Sequence, residues 1–132
     1  MKTEIQTSVI KKTLLLALLV ATSSAWAEWV KMGASYGITF YVDPTTLRKD
    51  GSLRKVWELY DFKQPEKNGA MSFRVRAEYD CKEERQRKLA YRYHPEPMAQ
   101  GASFNKLDGA GKWTEIVPGS FADTHLKRIC NR

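Results

Sequence analysis

Ser72-Phe73-Arg74-Val75-Arg76-Ala77-Glu78-Tyr79-Asp80-Cys81 alternates without a break. Phe73, Val75, Ala77, Tyr79 and Cys81 fall on one side of an extended chain. Ser72, Arg74, Arg76, Glu78 and Asp80 fall on the other. A period of two predicts a strand with one dry and one wet face, the pattern of an antiparallel sheet.

The flanks extend the same pattern. Upstream, Trp29–Met32 reads as a first strand and Gly33–Gly37 as a turn. Ile38, Phe40 and Val42 alternate with Thr39, Tyr41 and Asp43. Asp43–Thr46 predicts a turn or a single helical turn, and Asp50-Gly51 a hairpin. Leu53–Phe62 is rich in β-branched and aromatic residues and reads as a longer strand. The polar stretch Gln64–Gly69, with Pro65 and Asn68-Gly69, reads as a loop. Downstream, Lys82-Glu83-Glu84 turns the chain into a strand over Arg85–Tyr93, with Leu89, Tyr91 and Tyr93 on one side. His94–Lys112 reads as irregular, broken by Pro95, Pro97, Gly101, Gly109 and Gly111, and Trp113–Val117 as a last short strand.

One helix closes the chain. Ser120 has the chemistry of an N-cap, with Asp123 three residues on. Ala122, Leu126, Ile129 and Cys130 share a helical face with Phe121 at its flank, and Lys127 and Arg128 sit in the last turn. Consecutive strands followed by a helix predict an α+β domain. It is an antiparallel sheet of about five to six strands with a C-terminal helix packed on it. Cys81 lies on the dry face of its strand and Cys130 on the apolar face of the helix. A Cys81–Cys130 disulfide would pin the helix to the sheet. The chain-entropy account values a loop of about 50 residues at roughly 4 kcal/mol.

Residues 1–27 have the parts of a secretory signal peptide. Lys2, Lys11 and Lys12 make a basic start, Leu14–Ala21 is unbroken and apolar, and Ala25-Trp26-Ala27 is an A-x-A cleavage site. The apolar run is too short for a membrane span, which needs about 20 residues. No cysteine follows the small residues, so no lipid attachment is expected. The functional chain is then residues 28–132, one domain, exported to the periplasm, the outer cell surface or the medium. Three Lys and one Glu leave with the leader, so the 22 basic and 15 acidic residues become 19 and 14, a net charge of +5. Outside the cytosol that balance suits an anionic partner, a protein or another surface macromolecule rather than nucleic acid, or simply solubility. Two cysteines in an exported domain favour one disulfide over a metal or redox site.

Little in the chain suggests catalysis. His94 precedes Pro95 in an expected loop, and His125 stands one position off the apolar helical stripe, a surface position. No nucleophile elbow, zinc-binding helix or phosphate loop occurs, and no cofactor or metal is implied. The carboxylates Glu78, Asp80, Glu83 and Glu84 are interleaved with cations, as in a cross-strand charge ladder. The cations are denser. Arg74 and Arg76 lie on a wet strand face, and Lys82, Arg85, Arg87, Lys88 and Arg92 occupy the next turn and strand. In a hairpin these seven could share one surface bordered by Tyr91 and Tyr93. The alternatives are a partner-binding patch and a solvated sheet face.

Six pieces in order also resemble a known family. They are Ala27-Glu28-Trp29-Val30; Tyr41-Val42-Asp43-Pro44 with Thr46, Leu47 and Arg48; Val56-Trp57 with Leu59 and Asp61; Glu78-Tyr79-Asp80-Cys81 with Glu84 and Arg85; Trp113 with Ile116 and Pro118; and Cys130. Their order and spacing resemble the surface-adhesin protein E-like domains of Gram-negative bacteria. The resemblance implies the same disulfide-tied sheet and helix, and a non-enzymatic binding domain of the cell envelope. The family's founding member is an adhesin for host matrix and plasma proteins. A periplasmic accessory or assembly protein with no host partner is the alternative.

Overall fold

The computed structural model describes residues 27–132 of the chain. The predicted signal peptide falls on residues outside that range, Ala27 excepted. Strands β1 (Val30–Ser35), β2 (Ile38–Asp50), β3 (Leu53–Phe62), β4 (Ser72–Asp80), β5 (Arg85–His94) and β6 (Phe104–Asp108) lie side by side in chain order, each antiparallel to the next. A two-residue strand β7 (Thr114–Glu115) pairs with the start of β5. Helix α1 (Phe121–Cys130) packs on one face, and Cys81 is bonded to Cys130. The α+β architecture is therefore as expected, with one strand more: β6 runs through the stretch expected to be irregular.

Local chemistry explains each junction. The first turn is two residues, Tyr36-Gly37, both at positive φ (49° and 75°), as a tight hairpin demands. It is shorter than expected, because β1 runs on to Ser35. Asp43–Thr46 does make a turn, but inside β2. The Asp43 carboxylate accepts from the Thr45 N–H at 3.0 Å, and the Thr46 hydroxyl accepts from the Trp57 N–H at 2.9 Å. The strand bulges there and resumes pairing at Arg48–Lys55. At the helix start the Ser120 hydroxyl accepts from the Asp123 N–H at 3.2 Å, and the Asp123 carboxylate accepts from the Gly119 N–H at 2.9 Å.

The core lies between α1 and one end of the sheet. Leu126 and Ile129 close over Met32, Val42, Val56, Ala77, Tyr79 and Ile116. Met32 is the extra residue of a bulge in β1, and its carbonyl accepts from Arg128 at 2.6 Å. Both histidines are placed otherwise than expected. His94 is the last residue of β5 and buried. His125 is buried as well, with its ring 4.8 Å from Phe121 and 5.6 Å from Phe40.

The face away from the helix is not uniformly wet. Ser72, Glu78 and Asp80 are buried on it, against expectation, and so is Leu59. At one end Arg85 and Arg87, stacked on Trp113, lie over Asp80 and Glu78; at the Ser72 end the cover is a fold-back of residues 95–101. The Met98 N–H donates to the Asp61 carboxylate (2.8 Å), the Ala99 N–H to Ser72 Oγ (2.9 Å), and Ser72 Oγ to the Glu96 carbonyl (2.7 Å). Those bonds hold Met98 and Ala99 in left-handed backbone, at φ 57° and 58°.

Candidate functional site

Register places the side chains in rows across the face opposite the helix. Residues paired directly point the same way. One row is Tyr41, Leu59, Arg74 and Arg92; the next is Asp43, Trp57, Arg76, Ala90 and Asp108; then Lys55, Glu78 and Arg87; then Leu53, Asp80 and Arg85. Five of the seven predicted cations, Arg74, Arg76, Arg85, Arg87 and Arg92, thus share one face.

Lys88 does not join them. Strict alternation along Arg85–Tyr93 puts Lys88 with Arg92. A bulge at Leu89 breaks the phase, since Arg76 pairs with Ala90 and Ala77 with Lys88. Bulges re-aim side chains in this way. Lys88 therefore points to the helix side, its Nζ 5.6 Å from the Phe73 ring centre. The same slip brings Arg87 and Arg85 onto the arginine face. Lys82 is exposed in the β4–β5 turn.

The five arginines are not equivalent. Arg87 meets the buried Glu78 carboxylate at 2.6 Å, with Lys55 at 3.8 Å on its other oxygen. Arg85 meets buried Asp80 at 3.1 Å. The Glu83 N–H, then the Arg85 guanidinium and the Lys82 N–H, hold the Asp80 carboxyl below the usual carboxylate range against its burial. Removing Arg85 or Arg87 would strand a buried acid, so both are structural as well as cationic. Arg92 meets exposed Asp108 at 2.9 Å. Among the described residues, no carboxylate stands within ion-pair distance of Arg74 or Arg76. Arg74 lies directly across from Arg92, and burial followed by that neighbouring charge depresses its pKa.

Two tryptophans sit among these cations. The Arg74 guanidinium lies 4.9 Å from the Trp57 ring centre, and Arg85 and Arg87 lie 4.5 and 4.3 Å from that of Trp113. Stacking on a ring holds a guanidinium flat while leaving its N–H edges available. Sequence reasoning does not assign either tryptophan to this patch. Trp57 is reachable from strand phase, but Trp113 is brought in by the short β7 pairing alone.

On the helix side the unforeseen residue is Glu58. It is 2% exposed, on the face shared with Val42 and Val75, and it accepts hydrogen bonds from Tyr79 and, at 3.3 Å, from Tyr60. Burial pushes its carboxyl up to about 7, against the opposing pull of the two hydroxyls. The phase of Val56, Glu58 and Tyr60 in the sequence is the signal that could have found it. Among the described residues no cluster of His, Cys, Asp and Glu is arranged to hold a metal, and no helix is long and apolar enough to cross a membrane.

As a class, the fold is a one-helix antiparallel sheet with a row of arginines stacked on tryptophan rings across its open face. The chain belongs to the surface-adhesin protein E family, whose model matches residues 29–131. It is thereby an adhesin-like surface protein. Among solved structures it is similar to Haemophilus influenzae protein E. Crystal form II of that protein shares 13% identity at a TM-score of 0.62, over 83% of this chain and 92% of that one. Protein E from non-typeable Haemophilus influenzae shares 16% at a TM-score of 0.54, over 80% and 86%. Those likenesses concern the fold. No curated protein matches the chain.

Proposed function

We propose that this chain is a non-enzymatic binding domain of the cell envelope that holds an acidic host matrix or plasma protein against its arginine face. The observation that carries the reading is the pairing of Arg74 directly with Arg92, with Arg76 in the next row. Like charges placed opposite each other weaken a sheet. A surface that keeps them, on Trp57 and with no acid bridging Arg74 or Arg76, suits an incoming anion. Neither histidine is set up to serve as a general base. The His94 Nδ1 faces the Gly101 carbonyl at 3.1 Å, and His125 is enclosed by aromatic rings, so neither is poised beside a nucleophile.

The test is adhesion. A non-adherent bacterium expressing the full-length chain should hold to a surface coated with matrix or plasma protein. Arg76→Glu with Arg92→Glu should abolish most of that adhesion at equal surface abundance. These positions are chosen because neither arginine neutralises a buried acid. Fractionation that finds the chain only in the periplasm, with adhesion no better than the empty host, would favour an accessory protein with no host partner.

A further inference from the structure

The arginine face leaves the opposite side of the sheet unexplained. Helix α1 covers only one end of that side. Beyond it, β3, β4, the bulge of β5 and the loop after β6 enclose a pocket of about 440 Å³. Its floor is Glu58 with Val75 and Ala77, its wall is Tyr60, and Lys88 and Lys112 stand at its mouth. The loop is tied to the bulge by the Gly109 N–H to the Leu89 carbonyl (2.9 Å) and the Gly111 N–H to the Lys88 carbonyl (2.7 Å). A side chain at Gly111 would place its Cβ 3.2 Å from that Lys88 carbonyl, so this close approach suits glycine.

We propose that this pocket binds a sugar acid, one pyranose ring bearing a carboxylate, as part of a longer acidic glycan. This inference is independent of the arginine face. Four features select the ligand. The volume fits one substituted ring and falls in the range of small-molecule sites. The two ammonium groups at the mouth outweigh the single acid, so an anion is favoured and an amine is not. The Glu58 carboxyl, the Gln86 amide and the Thr114 hydroxyl offer mixed donors and acceptors, as a ligand rich in hydroxyls requires. The Tyr60 ring with Val75 and Ala77 gives an apolar wall for the C–H face of the ring. The chain-borne source follows from the adjoining cleft of about 480 Å³. That cleft shares Tyr60 and Lys88 with the pocket and continues along Phe62, Phe73 and Tyr93, a run of rings for a second sugar. Glu58 also accepts from the Tyr79 and Tyr60 hydroxyls, which fixes its carboxyl at the pocket floor.

The experiment follows backbone amide shifts of the full-length chain, as purified from cells, during titration with sodium glucuronate, sodium N-acetylneuraminate, glucose and sodium acetate. The two sugar acids should shift Gln86, Lys88, Gly111, Lys112 and Thr114, whereas glucose and acetate should not. Lys88→Met with Lys112→Met changes two exposed side chains and should keep the fold. It should weaken binding by roughly tenfold or more, about 1.4 kcal/mol. Glu58→Gln should weaken it too, whereas Arg76→Glu with Arg92→Glu should leave it unchanged. A uronate-containing tetrasaccharide should bind more tightly than the monosaccharide and add shifts at Phe73 and Tyr93. Equal affinity would restrict the site to a free sugar acid and overturn the glycan assignment. No shifts with either sugar acid, equal shifts with acetate, or binding unaffected by the lysine substitutions would overturn the site altogether.

Discussion

Glu58 and His125 are both ionisable, both buried, and shifted in opposite senses. Burial raises Glu58 to about 7 and, with the Arg128 charge adding to it, lowers His125 to about 4. The groups around Glu58 are the Tyr60 and Tyr79 hydroxyls, with Lys88 and Lys112 across the pocket. Those around His125 are Phe40, Phe121 and Arg128. The unfolded Glu ionises near its ordinary 4.5 and the folded one near 7, so Glu58 costs nothing below 4.5 and the cost grows as pH rises to 7. It reaches about 3 kcal/mol at most. His125 works the other way. Its neutral packing is fully stabilising above 6.5 and is lost as pH falls towards 4. Between those limits the two effects oppose each other. Glu58→Gln should therefore lose stability on acidification from 6.5 to 4.5, and His125→Phe should gain it. Denaturant titrations across that range check both signs, and parallel curves for the two variants would contradict the assignment. Neither shift is legible in the sequence. Strand phase can reveal that Glu58 shares a face with Val56, but not that two tyrosines reach its carboxyl. Helical phase puts His125 just off the apolar stripe, and only the docking of Phe121 and Phe40 encloses it.

Among the elements, β4 is the most legible and β5 the least, for one reason. A strand's side-chain period is fixed at two by its own backbone, so Ser72–Cys81 declares its faces without help. A bulge is a one-residue slip expressed between two strands, and nothing local in Arg85–Tyr93 marks Leu89 as the slipped residue. Lys88 and Arg87 exchange faces as a result. The short edge strand β6 is hidden for a different reason. Its side chains are mostly exposed, so it shows no dry face in the sequence, although Arg92 of β5 bonds Asp108 and the Leu107 carbonyl beside the main-chain pairing. The helix and its staple are plain from the Ser120 cap, the apolar stripe and two cysteines on facing surfaces. The Cys81–Cys130 bond spans 49 residues, and Cys81→Ser should reduce unfolding free energy by roughly 4 kcal/mol at most. Loss should concentrate in α1, where the bond is attached, leaving the helix to the packing of Leu126 and Ile129 and to Arg128 on the Met32 carbonyl. Hydrogen exchange that speeds up in α1 before β3 and β4 would agree. Uniform loss would show the helix to be held by packing alone.

For the molecule as a whole, the sheet separates two surfaces of different chemistry. One side carries arginines on tryptophan rings. The other carries the helix, the core and a lysine-rimmed pocket. The seven cations of Arg74–Arg92 are a coherent group in sequence, yet the fold divides them. Five share a face, Lys82 is left in a turn and Lys88 crosses to the other side. A patch read from sequence density alone would misdirect mutagenesis. Reversing Arg85 and Arg87 would unpair buried Asp80 and Glu78, and reversing Lys88 would alter the wrong surface. The informative pair is Arg76 and Arg92: their charges neutralise no buried acid, and replacing Arg92 gives up chiefly its bonds to exposed Asp108 and the Leu107 carbonyl at the β6 edge. Binding through these half-buried but solvent-reaching cations should also depend on salt, since the Debye length falls from about 10 Å at 0.1 M to about 3 Å at 1 M. The most direct measurement is binding of the purified protein to an immobilised acidic matrix or plasma protein at those two ionic strengths. Wild type, Arg76→Glu with Arg92→Glu, and Lys88→Met with Lys112→Met should be compared. The arginine-face account predicts that wild type and the lysine variant bind alike and lose binding at high salt, while the arginine variant binds weakly at both. Salt-insensitive binding that the folded arginine variant retains in full would contradict it.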